Sequence, residues 1–78
     1  MYKDTVLAIA QGNGYRDVVF LGIYKGMDVY FPIGGENENR EGIPEYITVT
    51  FSKNSDEDSY QISFERSPEI HEYLGIDK

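Results

Sequence analysis

The sequence of 78 residues contains no cysteine, no tryptophan and a single histidine, His71. Without cysteine the chain can form neither a disulfide nor a thiolate metal site. A lone histidine cannot build a zinc site, because such sites need several protein ligands. No apolar run approaches the roughly 20 residues of a membrane-spanning helix, and residues 1–4 show no signal-peptide pattern. We therefore expect one cytoplasmic domain, 1–78, with no cofactor and no membrane partner.

Basic residues are also few, and the formal net charge is −7. Residues 1–35 hold equal numbers of acidic and basic side chains, so residues 36–78 carry the whole excess. An acidic surface repels phosphate, which argues against direct nucleic-acid binding. It suits a protein partner, which could itself be basic, although solubility alone is the simpler explanation.

The central stretch, residues 18–33, has two apolar runs around Lys25 and Gly26 and predicts a β-hairpin. A two-residue loop would require positive φ at both turn residues, which lysine rarely adopts. A three-residue loop requires it only at Gly26, so we expect that register, with Leu21 opposite Val29. The face expected to be buried then comprises Val19, Leu21, Ile23, Met27, Val29 and Phe31. The opposite, amphipathic face comprises Phe20, Gly22, Asp28, Tyr30 and Pro32.

The segments on either side of this hairpin are less uniform. Residues 3–11 fit a helix with Asp4 as its N-cap and Gly12 just beyond its end, or alternatively a strand, and the two alanines favour the helix. Residues 34–45 predict a polar loop with almost nothing to bury. Alternation predicts a second hairpin with strands at 46–53 and 59–66 and a turn at 54–58. Its inward residues would be Ile47, Val49, Phe51, Tyr60, Ile62 and Phe64, whereas Tyr46 and Thr48 would point outward.

The C-terminal segment has the clearest helix signals. Ser67 is a suitable N-cap, Pro68 suits the first helical position, and Ile70, Tyr73 and Leu74 share one face. The predicted architecture is α+β, a four-stranded antiparallel sheet of two hairpins with an N-terminal and a short C-terminal helix (α-β-β-β-β-α). Both helices are expected against one face, and the strand order is open. The expected core comprises Leu7, Val19, Leu21, Ile23, Val29, Phe31, Ile47, Val49, Phe51, Ile62, Phe64, Ile70 and Leu74.

One pattern resembles a calcium-binding loop. Asn54, Asp56, Asp58 and Glu65 occupy its first, third, fifth and twelfth positions. Ser59 stands where such loops have glycine, and the flanks read as strands, so we expect an ordinary hairpin turn.

Other chemical signals are weaker still. Gly12-x-Gly14 lacks the remainder of a phosphate-binding loop. His71 has no sequence neighbour suited to activating a nucleophile and is expected at an exposed helix position. Asp28 is the one acid placed mid-strand among aromatic residues, where an edge-strand charge that blocks sheet pairing is the simpler interpretation.

The string Leu21-Gly22-x-x-x-Gly26-x-Asp28-Val29-Tyr30-x-Pro32, followed by Gly42-Ile43-Pro44, is similar to small uncharacterised bacterial proteins with a glycine-turned hairpin. It covers about a third of the chain, and the resemblance implies no activity and no site residue.

The sequence thus predicts a non-enzymatic protein–protein interaction or regulatory module that uses the aromatic hairpin face and the 36–45 loop. Tyrosines are common at interfaces, and Tyr24, Tyr30 and Tyr46 are expected to be the most exposed. The expected partner-binding residues are Phe20, Tyr24, Asp28, Tyr30, Tyr46, Glu36, Glu38 and Glu41. Alternatives are an acidic nucleic-acid mimic that inhibits a basic nucleic-acid-binding protein and, with no catalytic constellation to support it, a small enzyme.

Overall fold

The computed structural model describes residues 2–37, 42–54 and 57–74. In chain order the elements are α1 (Tyr2–Gly12), β1 (Asp17–Tyr24), β2 (Met27–Ile33), a 3-10 turn (Gly35–Asn37), β3 (Tyr46–Asn54), β4 (Glu57–Glu65) and α2 (Pro68–Leu74). The predicted α-β-β-β-β-α class is confirmed, and residues 3–11 are helical. The four strands form one antiparallel sheet in the order β1-β2-β3-β4, so each strand pairs with its neighbour in sequence.

The turn between β1 and β2 differs from the prediction. Tyr24 pairs with Met27, which leaves a two-residue loop with φ of 51° at Lys25 and 79° at Gly26. Positive φ at both central residues is the turn type whose twist matches that of the strands. The expected three-residue loop is therefore wrong, and the matching twist outweighs the cost of about 1 kcal/mol for a left-handed lysine.

A β-bulge then restores the predicted register further along β1. The pairing shifts between Phe20 and Gly22, so that Val19 lies opposite Phe31 as predicted, whereas Gly22 rather than Leu21 lies opposite Val29. Directly opposed residues share a face of the sheet. The bulge therefore moves Ile23 off the face on which it was expected and leaves the rest of the predicted face together.

One face of the sheet packs against α1, and we call it the α1 face. Its core combines Val6 and Ala10 of α1 with residues of three strands, and Leu7, Tyr15, Ile62 and Phe64 pack around them. The strand residues of this core are Val18, Tyr30, Ile47 and Val49. Because Ile47 pairs with Phe64 and Val49 with Ile62, the predicted inward alternation of the second hairpin is confirmed on this face.

The opposite face packs against α2, and we call it the α2 face. Its core is Val29, Tyr46 and Ile70, surrounded by Leu21, Tyr24, Phe31 and Leu74. The prediction that both helices cover one face is therefore wrong. The predicted outward positions of Tyr46 and Thr48 are also wrong, since both are fully buried. Three residues of the expected core, Val19, Ile23 and Phe51, are exposed instead.

Both helices have well-defined ends. The N–H of Tyr15 donates to the carbonyl of Ala10, the N–H of Gly14 to that of Gln11, and Gly14 has φ of 97°. This is a glycine-terminated helix end, so Gly12 is the last residue of α1, and Gly14 rather than Gly12 is the glycine just beyond its end. α1 begins at Tyr2, which places Asp4 inside its first turn rather than at the cap. The predicted Ser67 cap of α2 is confirmed, because its Oγ accepts the N–H of Ile70 at 3.2 Å.

The loop after β2 buries more than its sequence suggests. Asn37 is buried, and its side chain donates to the carbonyls of Pro32 and Glu45 at 3.2 and 2.9 Å and accepts the N–H of Glu45 at 3.1 Å. The expectation that residues 34–45 bury almost nothing is wrong at this position. A single amide thus ties the end of β2 to the start of β3.

The resemblance to a calcium loop is not matched by geometry. Asn54 pairs with Glu57 at one end of the second hairpin, whereas Glu65 pairs with Tyr46 at the other end. The eight residue steps from Glu57 to Glu65 extend for about 26 Å in a strand. Glu65 therefore cannot join the ligands at the tip, and Asp56 lies outside the described residues.

Candidate functional site

Three of the predicted partner-binding residues lie together on the α1 face. Phe20 is half-exposed, and its ring meets that of Tyr30 edge-on with 5.3 Å between centroids. Asp28 is half-buried and lies opposite Ile23 on β1 and Val49 on β3. Because β2 is flanked by strands on both sides, Asp28 is not the edge-strand charge that the sequence suggested. Tyr30 is buried beneath α1, so its expected exposure is wrong.

Two other predicted residues, Tyr24 and Tyr46, lie on the opposite, α2 face. Tyr46 is fully buried, and its hydroxyl lies 2.6 Å from Nδ1 of His71. The Tyr24 ring packs against that of Tyr73 at 5.3 Å, and its hydroxyl donates to Glu69 at 3.3 Å. The short C-terminal helix covers these rings, so the expected exposure of Tyr46 is wrong and Tyr24 is only half-exposed.

Glu36, the predicted acidic residue of the 36–45 loop that the structure describes, is separated from these aromatic residues. Glu36 lies in the 3-10 turn at the end of β2 that is remote from the Lys25-Gly26 turn. Glu38 and Glu41 lie outside the described residues. Glu36 therefore does not lie next to Phe20 and Asp28, as a single combined binding surface would require.

The structure exposes large apolar side chains on the α1 face. We define the hairpin patch as Phe20, Ile23, Asp28, Phe51 and Tyr60. Phe20 is 50% exposed and Ile23 is 60% exposed, and Asp28 lies beside them on the neighbouring strand. Phe51 pairs with Tyr60 across β3 and β4 on the same face, and both are partly exposed. The patch thus runs along the end of the sheet at which the hairpins turn.

The length of α1 explains why this end is left open. Its 11 residues give a helix of about 16 Å, whereas the nine residues of β3 extend for about 30 Å. The hydroxyl of Tyr60 reaches Thr5 of α1 at 3.5 Å, which marks the start of the helix at this end. A helix of this length cannot cover the whole face, and the patch is what remains.

Sequence reasoning missed Ile23, Phe51 and Tyr60 as surface residues. A signal for Ile23 was present, because a glycine inside a strand pattern often marks a bulge, and Gly22 does so here with φ of 151°. Phe51 and Tyr60 carried no such signal. Their alternation correctly predicts the face on which they lie, but the extent of coverage depends on where α1 sits.

The carboxylate of Asp28 gives the patch its charge. Within the described ranges it has no hydrogen-bond or ion-pair partner, although it is half-buried among apolar neighbours. A carboxylate in such surroundings gains more from a nearby cation than a fully solvated one does. The patch therefore combines apolar contact area with a carboxylate that has no partner among the described residues.

The described residues include no group of three or more histidine, aspartate or glutamate side chains that could hold a metal ion.

Burial raises the pKa of the Tyr46 hydroxyl above its usual value of 10.0. His71, expected at an exposed position, is half-buried and hydrogen-bonded to that hydroxyl, so the pair joins α2 to the sheet.

No helix among the described residues is long and apolar enough to cross a membrane. Comparison of the chain with models of known protein families, with curated proteins and with solved structures finds no match in any of the three.

Proposed function

We propose that this chain is a small, acidic, non-enzymatic cytoplasmic module that binds a protein partner through the hairpin patch. The observation that carries the proposal is the exposure of Phe20 and Ile23 beside the carboxylate of Asp28 on one face of the sheet. Clustered apolar side chains on the surface of a small domain are commonly contact sites, because leaving them in water is unfavourable.

The chemistry of the patch suggests the kind of partner. Aromatic and aliphatic groups such as Phe20 and Ile23 supply the buried centre of an interface, and Asp28 would need a cation opposite it once water is excluded. A partner with an apolar contact residue and an adjacent lysine or arginine would satisfy both. The net charge of −7 would speed its approach at low salt.

The alternative of an acidic nucleic-acid mimic is less well supported. It requires one continuous acidic surface built from residues 36–45 and 56–58. The described acidic residues that flank β3, Glu45 before Tyr46 and Glu57 opposite Asn54, lie at its opposite ends, about 30 Å apart. That separation favours a partner that binds the apolar patch.

The absence of enzymatic activity is part of the proposal and rests on what the polar groups do. The buried hydroxyl of Tyr46 and the ring of His71 are hydrogen-bonded to each other at 2.6 Å and hold α2 on the sheet. A general base needs access to a substrate proton. The His71 nitrogen is instead hydrogen-bonded to Tyr46, in the contact that joins α2 to β3.

The test compares substitutions on opposite faces of one strand. Phe20→Ser and Ile23→Ser remove apolar area from the patch, and Val19→Ser is the matched control, because Val19 lies next to Phe20 on β1, is 40% exposed and belongs to the other face. Each variant and the parent chain are immobilised, and proteins captured from extracts of the native host are quantified by mass spectrometry. A captured protein is then purified and its affinity measured by calorimetry.

We expect the affinity of a genuine partner to fall about tenfold or more with Ile23→Ser and to change less than about twofold with Val19→Ser. Asp28→Asn should slow association and reduce its dependence on salt. Equal binding by Phe20→Ser, Ile23→Ser and the parent chain, with all variants folded, would contradict the proposal. It would also be contradicted if no captured protein bound the patch variants more weakly than it binds Val19→Ser.

A further inference from the structure

A cleft lies at the other end of the sheet, between the end of α1, the 3-10 turn and the ends of β3 and β4. Its volume is about 510 Å³, and its walls include Tyr15, Gly35, Glu45, Phe64 and Arg66. A volume of this size is in the range of sites that hold small molecules. None of these residues belongs to the hairpin patch.

The carboxylate of Glu45 is held in position on the wall of this cleft. Its Oε1 accepts a hydrogen bond from the hydroxyl of Tyr15 at 2.5 Å. Its backbone N–H and carbonyl are both bonded by the buried side chain of Asn37. The side chain of Glu45 is 20% exposed. Because its backbone and one carboxylate oxygen are both fixed, the carboxylate loses little freedom when a ligand binds.

The guanidinium of Arg66 lies beside this carboxylate without a direct hydrogen bond to it. Its Nη1 is 4.0 Å from Oε2 of Glu45, and the Arg66 side chain is 43% exposed. A hydrogen bond between such groups requires about 3.2 Å or less. The two charges therefore lie side by side, so that Oε2 can accept a further hydrogen bond and the guanidinium N–H groups can donate one.

An apolar surface completes the cleft. The rings of Tyr15 and Phe64 stack with 6.2 Å between centroids and 14° between planes. The same Tyr15 thus fixes the carboxylate through its hydroxyl and supports Phe64 through its ring. The cleft presents a negative charge, a positive charge and an aromatic wall within one small volume.

We propose that this cleft binds a small zwitterion of the α-amino-acid class with an apolar side chain. The ligand ammonium donates to Oε2 of Glu45, the ligand carboxylate accepts from the Arg66 guanidinium, and the side chain packs on Phe64. The four charges then alternate, and each ionic contact is a charge-assisted hydrogen bond.

The arrangement favours a zwitterion over a ligand with one charge. A simple anion would satisfy Arg66 but lie against Glu45 and meet a molecule of net charge −7. A simple cation would pair with Glu45 and be repelled by Arg66, whose Nη1 is 4.0 Å from Oε2 of Glu45. Only a ligand that carries both charges close together pairs with both side chains.

The test is a titration of the ¹⁵N-labelled full chain, followed by amide NMR shifts, with L-phenylalanine as the probe. N-acetyl-L-phenylalanine, which lacks the ammonium, and phenethylamine, which lacks the carboxylate, are the matched ligands. We expect saturable shifts around Glu45 and Arg66 with L-phenylalanine below about 10 mM, and about tenfold weaker binding of each matched ligand.

Glu45→Gln keeps an acceptor for Tyr15 and removes the charge, and Arg66→Gln removes the other charge. Each should weaken the binding of L-phenylalanine about tenfold. Glu65→Gln and Lys25→Gln are the charge-matched controls outside the cleft and should leave binding unchanged.

Equal binding of all three ligands, shifts located elsewhere, or no saturable shift would overturn the proposal. If a variant fails to fold, the three ligands on the parent chain still decide the outcome. The hairpin patch and its protein partner are unaffected by either result.

Discussion

The hydroxyl oxygen of Tyr46 lies 2.6 Å from Nδ1 of His71, so the first residue of β3 is hydrogen-bonded to the middle of α2. A helix of seven residues is not stable alone in water, because its few hydrogen bonds do not offset the cost of nucleation. This contact and the burial of Ile70 therefore hold α2 on the sheet.

Replacement of Tyr46 by phenylalanine should weaken this attachment. The change removes the hydroxyl and leaves Nδ1 of the half-buried His71 without its partner, which should lower the free energy of unfolding by about 1–3 kcal/mol. Urea denaturation followed by circular dichroism measures the loss. Tyr24→Phe is the matched control, because its hydroxyl makes an exposed 3.3 Å bond to Glu69 and should cost less than about 1 kcal/mol.

The raised pKa of Tyr46 predicts a pH dependence of stability. Burial disfavours the phenolate, so the pKa in the folded state exceeds that in the unfolded state, close to 10.0. The contribution of the neutral hydroxyl is complete below pH 10 and is lost as the pH rises through the folded-state pKa. Urea midpoints between pH 8 and 11 should therefore decline more steeply for the parent chain than for Tyr46→Phe. Parallel declines would contradict this prediction.

The bulge in β1 predicts that Gly22→Ala is destabilising. Its φ of 151° is unfavourable for other residues, and an added Cβ would lie 3.2 Å from Cδ2 of Leu74 in α2. We expect a loss of about 1–3 kcal/mol by urea denaturation. Gly12→Ala is the control, because Gly12 is helical with open space around it, and the change should stabilise the protein by about 0.5–1 kcal/mol.

The two-sided core predicts that the same substitution, isoleucine to alanine, lowers the free energy of unfolding much more at Ile70 than at Ile23. Ile70 is fully buried on the α2 face, and Ile70→Ala should cost about 2–5 kcal/mol. Ile23 is largely exposed in the hairpin patch, and Ile23→Ala should cost less than about 1 kcal/mol. Thermal and urea unfolding of both variants check the difference, and equal losses would mean that the register of β1 is wrong.

The buried amide of Asn37 predicts a large effect in a segment that reads as a polar loop. Asn37→Ala leaves the carbonyls of Pro32 and Glu45 and the N–H of Glu45 without this partner, and we expect a loss of about 1–3 kcal/mol. Asn13→Ala removes one exposed bond to the carbonyl of Ile9 and should cost about 0.5–1 kcal/mol. A urea midpoint for Asn37→Ala equal to that of Asn13→Ala would contradict the role assigned to this side chain.

The sequence predicted which segments are helices and strands, because capping residues and alternation act locally. Ser67 at the start of α2 and the alternation of Ile47 and Val49 are examples. It did not predict the bulge. Because lysine rarely adopts positive φ, Lys25 argued against the two-residue turn, which the twist of the hairpin favours. Because both sides of β2 carry residues that can be buried, Val29 and Phe31 on one side and Tyr30 on the other, the pattern alone did not reveal that each face carries a helix.

The candidate site was predicted only in part for the same reason. Phe20 and Asp28 were placed together on one face, whereas Tyr30 and Tyr46 were expected in solvent and are covered by α1 and α2. Coverage depends on where a helix docks, which is set by contacts distant in sequence. The cleft at Glu45 had no local pattern, because the tip of α1, the loop after β2 and the end of β4 meet only in the folded chain.

The order β1-β2-β3-β4 has a kinetic consequence. Each strand finds its partner immediately along the chain, so no distant segments must meet before pairing begins, and little loop-closure entropy is lost at any step. We expect the sheet to assemble within milliseconds by zipping outward from its turns, which limits the time during which its unpaired edges are open to aggregation.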